Sequence, residues 1–221
     1  MKAISSFDVI GPNMIGPSSS HTAGALRIAQ LARKLLKGEP VSVKFILYGS
    51  FAHTYRGHGT DRALAAGILG FAADDYRIRD SLTLAEQKGV AIAFEINKEQ
   101  TDVHPNTVEI DVATNEGEHM LIRGVSVGGG RAELRAIDGV DIELSGEYST
   151  ILVRHLDAPG VITHIAGCLS DNRINIAFMR LFREDKGCNA CTIIEADEEI
   201  SAMVSRQIET HPAIDSSMLI Q

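Results

Sequence analysis

Apolar positions recur with two different periods along this chain, and the changeovers mark its elements. From Thr22 the run TAGALRIAQLARKLLKGEP sets Ala25, Ile28, Ala29, Ala32, Leu35 and Leu36 at helical spacing, with Arg27, Arg33 and Lys34 on the other side. Gly38 and Pro40 follow in the order that ends a helix. VSVKFILYGS switches to a two-residue alternation rich in β-branched and aromatic side chains, which predicts a strand over 41–50. A glycine-punctuated loop, YRGHGTDR, opens a second helix, DRALAAGILGFAAD, whose small residues permit close packing. TLAEQKG predicts a short helix. VAIAFEIN, TVEIDVAT, HMLIRGVSV, AELRAID and DIELSG then predict strands, with TNEGEH as a hairpin connection. The glycines at 128–130 are expected to break the ladder where no side chain is tolerated. Helices first and antiparallel-looking strands later predict an α+β domain.

The pattern restarts around 145–149. STILVRHLDAPG predicts a strand and loop, VITHIAGCLSDNR an amphipathic helix, and INIAFMRLFRED and CNACTIIEAD two strands. EEISAMVSRQIETH predicts a second helix and AIDSSMLIQ a last strand. That order is βαββαβ, the ferredoxin-like arrangement. Two domains are therefore expected, 1–147 and 148–221, with almost no linker.

Composition narrows the function. Of 221 residues, 44% are hydrophobic and 23% charged, ordinary values that allow a buried core. The net charge of −8 with scattered Lys and Arg argues against a nucleic-acid-binding face. No apolar run reaches the ~18 residues of a membrane span. The opening MKAISSFDVI lacks the apolar stretch of a secretory signal, so a cytoplasmic protein is expected. An odd set of cysteines, Cys168, Cys188 and Cys191, argues against a disulfide framework. Cys188-x-x-Cys191 leaves a redox or metal role open beside an incidental one, but a strand over 188–194 would point the two thiols to opposite faces.

Three polar clusters carry candidate chemistry. In GPNMIGPSSSHTAG a helix start is crowded by Ser18, Ser19, Ser20, His21 and Thr22. One hydroxyl, from Ser20 or Thr22, suffices as an N-cap; the surplus suits a carboxylate or phosphate beside free backbone N–H groups, with a histidine to move protons. In RGHGTDR, His58 lies between glycines, and Thr60 or Asp61 is the expected cap of the next helix. In DVHPNTVEI, His104 and Asn106 flank a proline, a pattern that is usually only a turn. Flanking glycines and polar side chains that bury little make 11–24 the expected most mobile part of the isolated chain.

Two resemblances follow from these residues. LDAPGVITHIAGCLSDNRINIAFM resembles ACT domains, which implies side-by-side pairing and amino-acid effectors, with Asp157, Gly160 and Asn175 as effector contacts. A purely structural module, with Asp157 capping the helix and Gly160 permitting the turn, stands beside that reading. FDVIGPNMIGPSSSHTAGALRIAQLAR, GSFAHTYRGHGTDRALAAGILG, HPNTV and SVGGG together resemble the β chain of the iron–sulfur L-serine dehydratases, over essentially the whole length. The resemblance implies a subunit that works with an α chain on L-serine, giving pyruvate and ammonia. It places the [4Fe–4S] cluster on the α chain, with no metal held here. It implies an allosteric substrate-binding type of N-terminal domain, shared with some phosphoglycerate dehydrogenases. His21, His58 and Asp61 become the expected catalytic residues, Asp61 orienting His58, with Ser18, Ser19, Ser20, Thr22, Thr60 and Asn106 binding substrate.

Two other classes remain. A free-standing amino-acid sensor or regulatory subunit would bind ligand without catalysis, yet it lacks a basic face through which to act on nucleic acid. A purely structural companion of a catalytic chain would leave SSSHT and GHGTD unexplained.

Overall fold

The structure is a computed structural model that describes residues 14–100, 102–183 and 185–220. The fold is α+β. The chain divides into two compact units, Met1–Ser145 and Gly146–Gln221.

In the first unit a π-helical lead, Ser19–Gly24, runs directly into α1 (Ala25–Leu35). Then come β1 (Pro40–Leu47), α2 (Gly49–Thr54), α3 (Thr60–Ile68), a 3₁₀ turn (Tyr76–Asp80) and α4 (Ser81–Gln87). β2 (Ala91–Ile96), β3 (Thr107–Thr114), β4 (His119–Gly128), β5 (Arg131–Ile137) and β6 (Val140–Leu144) complete it. The sheet order is β2-β1-β3-β4-β5-β6.

Three expectations are corrected here. The sheet is mixed: β2 pairs parallel to β1, Phe45 opposite Phe94, because the helices between them form a long crossover. The strand expected through residue 50 stops at Leu47. Gly49 turns the chain at φ 52°, and the N–H groups of Ser50 and Phe51 both donate to the carbonyl of Pro105, at 2.6 and 3.4 Å. The glycines at 128–130 close a hairpin rather than break a ladder. All three have positive φ (93°, 62° and 79°), and Gly128 faces Arg131 across the turn.

The core of this unit lies between the helices and one face of the sheet. Phe45, Ile110 and Ile122 sit side by side in register across β1, β3 and β4 and are fully buried. The helices approach one another, and the sheet, at backbone distance. A Cβ on Gly67 of α3 would stand 2.5 Å from the carbonyl oxygen of Leu26 and 2.6 Å from Cβ of Ala29. A Cβ on Gly124 would collide with Ile28, and one on Gly24 with Oγ of Ser126.

The second unit follows the expected order: β7 (Ser149–Leu156), α5 (Val161–Asp171), β8 (Ile176–Arg183), β9 (Asn189–Ala196), α6 (Ala202–Ile208) and β10 (Ile214–Ile220). Its sheet order is β10-β7-β9-β8, antiparallel throughout. Ile151, Val153, Ile165, Leu169, Ile194 and Ile208 are fully buried in its core. The last helix is shorter than expected and starts after Ser201, which is still extended. Cys188 precedes β9, so the opposite-faces argument for the two cysteines does not apply.

Replacing Gly67 with alanine gains up to about 1 kcal/mol of helix propensity. The clash with the Leu26 carbonyl outweighs it, for an expected net loss of roughly 1–3 kcal/mol. A lower urea midpoint at unchanged slope is the readout; an unchanged midpoint would show that α1 and α3 can separate freely.

Candidate active site

Ser18, not Ser20 or Thr22, is the cap of the first helix. It is extended (φ −141°, ψ 126°), and its Oγ accepts the N–H of His21 at 3.2 Å. That tight start holds the His21 imidazole between two hydroxyls, with Nδ1 3.4 Å from Ser18 Oγ and Nε2 2.9 Å from Ser50 Oγ. A neutral ring can accept from one and donate to the other. Ser50 is held in turn by the HPNT turn. Beyond the Pro105 carbonyl noted above, Thr107 Oγ1 donates to the His104 carbonyl, and the Asn106 N–H to His104 Nδ1. The Asn106 carbonyl accepts from the N–H of Ser126 on β4. The segment is a turn, as its sequence suggests, and it also braces α2.

The two separate histidine motifs converge. The rings of His21 and His58 lie 4.8 Å apart, tilted by 48°, and Phe51 presents its edge to His21 at 5.4 Å. Thr22 Oγ1 donates to the carbonyl of His58 at 3.1 Å, tying the start of α1 to the entry of α3. Gly59 enters α3 in the left-handed region at φ 69° without a side-chain cap, so neither Thr60 nor Asp61 caps this helix. Thr60 is fully buried at its first position. The Asp61 carboxylate accepts the N–H of Arg62; among the described residues no hydrogen bond joins it to His58. Ser19 and Ser20 form the first turn of the π-helical lead. Thr22 is 3% and Ala23 4% exposed, so the premise that this stretch buries little fails at its helical end. Residues 11–13 of the same stretch lie outside the described residues.

Burial, and then the neighbouring His58, lower the pKa of His21 below 6.5. The imidazole is therefore neutral at pH 7. Among the described residues three buried polar side-chain atoms find no partner: His58 Nδ1, Thr60 Oγ1 and Ser126 Oγ. Such a group costs about 1–3 kcal/mol unless a ligand or water meets it. The end of β1 is fixed by a part-buried network. Tyr48 Oη donates to Glu109 Oε2 at 2.6 Å, and Arg123 donates twice to Oε1 at 2.7 and 2.9 Å. Burial and that bond to Glu109 push the Tyr48 phenol up to about 12, so it stays a donor.

Sequence reading missed Ser50, taken there as the end of a strand, and the arginines of the neighbouring cavity. That cavity, about 190 Å³, is lined by Thr22, Arg56, His58, Arg62 and Arg79 together with Gly57 and other small or apolar residues. Arg56 and Arg62 flank the GHGTD motif directly.

The expected effector contacts do not come together in one copy. Asp157 precedes α5, and its Oδ2 accepts from Arg183 Nη1 and from the N–H of Gly187. It does not cap α5; Gly160 (φ 94°) holds that position. Asn175 follows α5 at its other end, where it donates to Asp197 at 2.6 Å; the eleven-residue helix between it and Gly160 rises about 16 Å. The cysteines do not form a cluster-binding set. Cys188 is exposed, and burial pushes the Cys191 thiol up to about 11, where it remains protonated. Among the described residues no three His, Cys, Asp or Glu side chains stand together as metal ligands. No helix among them is long and apolar enough to cross a membrane.

A hydroxyl-flanked imidazole pair on an α+β scaffold is the candidate site. The chain belongs to the serine dehydratase beta chain family, whose model matches residues 5–136. It is 43% identical to the probable L-serine dehydratase, beta chain, of Bacillus subtilis (strain 168), across 97% of this chain and 96% of that protein. It is 42% identical to the L-serine dehydratase, beta chain, of Peptoniphilus asaccharolyticus, across 94% of both. A D-3-phosphoglycerate dehydrogenase of Bacillus subtilis (strain 168) is 23% identical across 88% of this chain but 37% of its own length.

The two causes of the His21 shift can be separated by NMR titration. His21 should titrate below 6.5, and His58→Gln should move it part of the way back, since burial is the larger cause. Because the folded value is lowered, the unfolded chain binds more protons on acidification. This site's contribution to stability is complete above pH 6.5 and is lost as pH falls through the folded pKa. A His21 pKa at or above 6.5 in the folded chain would contradict this arrangement.

Proposed function

We propose that this chain is the β subunit of a two-chain L-serine dehydratase and supplies substrate-contacting residues to a centre held by an α chain. The observation that carries this reading is the convergence of His21, Ser50 and His58, drawn from motifs 37 residues apart between the two histidines, around a buried, unpartnered His58 Nδ1. The family membership and the full-length match to two L-serine dehydratase beta chains support it. A [4Fe–4S] cluster, when bound by the α chain, supplies a Lewis-acidic iron for the departing hydroxyl. The cysteines of this chain do not fit such a cluster.

In this reading the L-serine carboxylate lies against the serine-rich turn. Ser19 and Ser20 make the direct contacts, because Ser18 is engaged with His21 and Thr22 with the His58 carbonyl. Thr60 and Asn106 complete the surroundings. His21, neutral at working pH and steadied by Ser18 and Ser50, accepts the α-proton. His58 offers Nδ1 to the substrate, with Asp61 one turn away. Loss of the proton and of hydroxide leaves an aminoacrylate, which hydrolyses to pyruvate and ammonia.

The second unit is proposed to be an ACT domain, with a domain boundary near residue 147. Its βαββαβ order and 4-1-3-2 sheet support that assignment. An effector bridging two copies would reconcile Asp157 and Gly160 at one end of α5 with Asn175 at the other. Such self-association pairs the modules side by side.

His21→Ala and His58→Ala, each reconstituted anaerobically with the α chain, should lower pyruvate release from L-serine by about 10²–10⁴-fold, the scale of a lost proton-transfer group. Normal melting curves would separate this from misfolding. Near-normal turnover in both variants would remove the pair from the chemistry.

A further inference from the structure

His21 owes its place to α2 as much as to its own helix. Ser50, the second residue of α2, meets Nε2 at 2.9 Å, and Phe51, the third, sets its ring edge against the imidazole at 5.4 Å. Gly49 begins that helix at φ 52°, and a Cβ there would stand 2.6 Å from the Pro105 carbonyl oxygen. The close approach requires glycine, yet glycine leaves the chain free to swivel between β1 and α2. The direction of exit must therefore be fixed by the residues on either side. After the glycine, Pro105 holds the N–H groups of Ser50 and Phe51. Before it stands Tyr48, buried at 4% exposure, whose N–H donates to the Thr107 carbonyl at 3.1 Å.

Tyr48 occupies the N-cap position of α2 but does not cap the helix with its side chain. Its phenol reaches instead to Glu109 Oε2 at 2.6 Å. Glu109 is held in turn by Arg123, its register partner on β4, which takes Oε1 with two donors. A carboxylate only 11% exposed is costly to leave unpaired, so Tyr48, Glu109 and Arg123 resist displacement together. The three join β3 and β4 to the swivel between β1 and α2. We propose that Tyr48 is a positioning residue for His21, acting through α2 on Ser50 and Phe51. For turnover this rests on His21 as the proton acceptor of the serine reaction; for the geometry of the imidazole it does not.

The test is Tyr48→Phe in the full chain, which removes one oxygen and keeps the ring. NMR follows the His21 titration, with Ile110→Val for comparison, since that change trims the core on the other face of β3. Burial is the larger cause that holds His21 below 6.5, and His58 is the second. A shifted α2 admits water, so Tyr48→Phe should raise the His21 midpoint toward 6.5 and move its ring resonances. Glu109→Gln offers one acceptor oxygen to two donors and should move His21 the same way. Ile110→Val should lower the melting temperature and leave His21 unchanged. Reconstituted anaerobically with the α chain, Tyr48→Phe should lower kcat for L-serine roughly tenfold at little-changed KM, within the hundredfold that a displacement of about 1 Å can cost. An unmoved His21 in both Tyr48→Phe and Glu109→Gln, or an equal shift in Ile110→Val, would overturn the proposal. A shifted His21 with normal turnover would leave the positioning role standing and count instead against His21 as the proton acceptor.

Discussion

The close approach of α1 to β4 and α3 is the constraint on which the candidate site depends. Glycines at 24, 67 and 124 remove the side chains that would otherwise separate these elements. Helix axes at such short spacing fix not only α1 but also the π-helical lead before it, and hence the direction of His21. A looser fit of α1 would carry the imidazole away from Ser50, which is held independently through α2 and the HPNT turn. Hydrogen bonds of about 3 Å tolerate little displacement, so packing far from the imidazoles sets their geometry. The same logic explains why α1 and α3 are both dominated by small and aliphatic residues.

Electrostatically, the corner is divided in two. Around His21 the surroundings are hydroxyls, an aromatic edge and another imidazole, which favour a neutral ring. Next to it lies a cavity lined, among the described residues, by the arginines Arg56, Arg62 and Arg79. The Glu109 carboxylate is taken up by Tyr48 and Arg123 and anchors the end of β1. A neutral ring and an arginine-lined surface are thereby kept side by side.

The second unit follows different economics of contact. Its buried aliphatic core needs no special geometry beyond the split-βαβ pattern, and it is complete within one copy. Its polar residues of interest are not gathered in the same way. Asp157 accepts hydrogen bonds from the Gly187 N–H and from Arg183, which in that order hold its carboxyl below the usual range. Asn175 is tied to Asp197 and Glu198 at the other end of the helix. A ligand contacting both within one copy would have to span the whole of α5.

Local physics made much of this legible in the chain itself. The strand at Thr107–Thr114 and the βαββαβ order come from periodicity and breakers, which act over a few residues. The residue types of the two histidine clusters were visible for the same reason. Tertiary structure decided the rest. Parallel pairing of β2 depends on where a long crossover returns, and the turn at Gly49 depends on a carbonyl at Pro105. Ser50 joined His21, and Arg79 joined Arg56 and Arg62, only when distant segments were packed together. Asp61 turned to Arg62, and Gly59 took the cap position, because a left-handed glycine could make the entry that side chains could not. Periodicity reports which face a residue shares; it carries no information on which other element will meet that face.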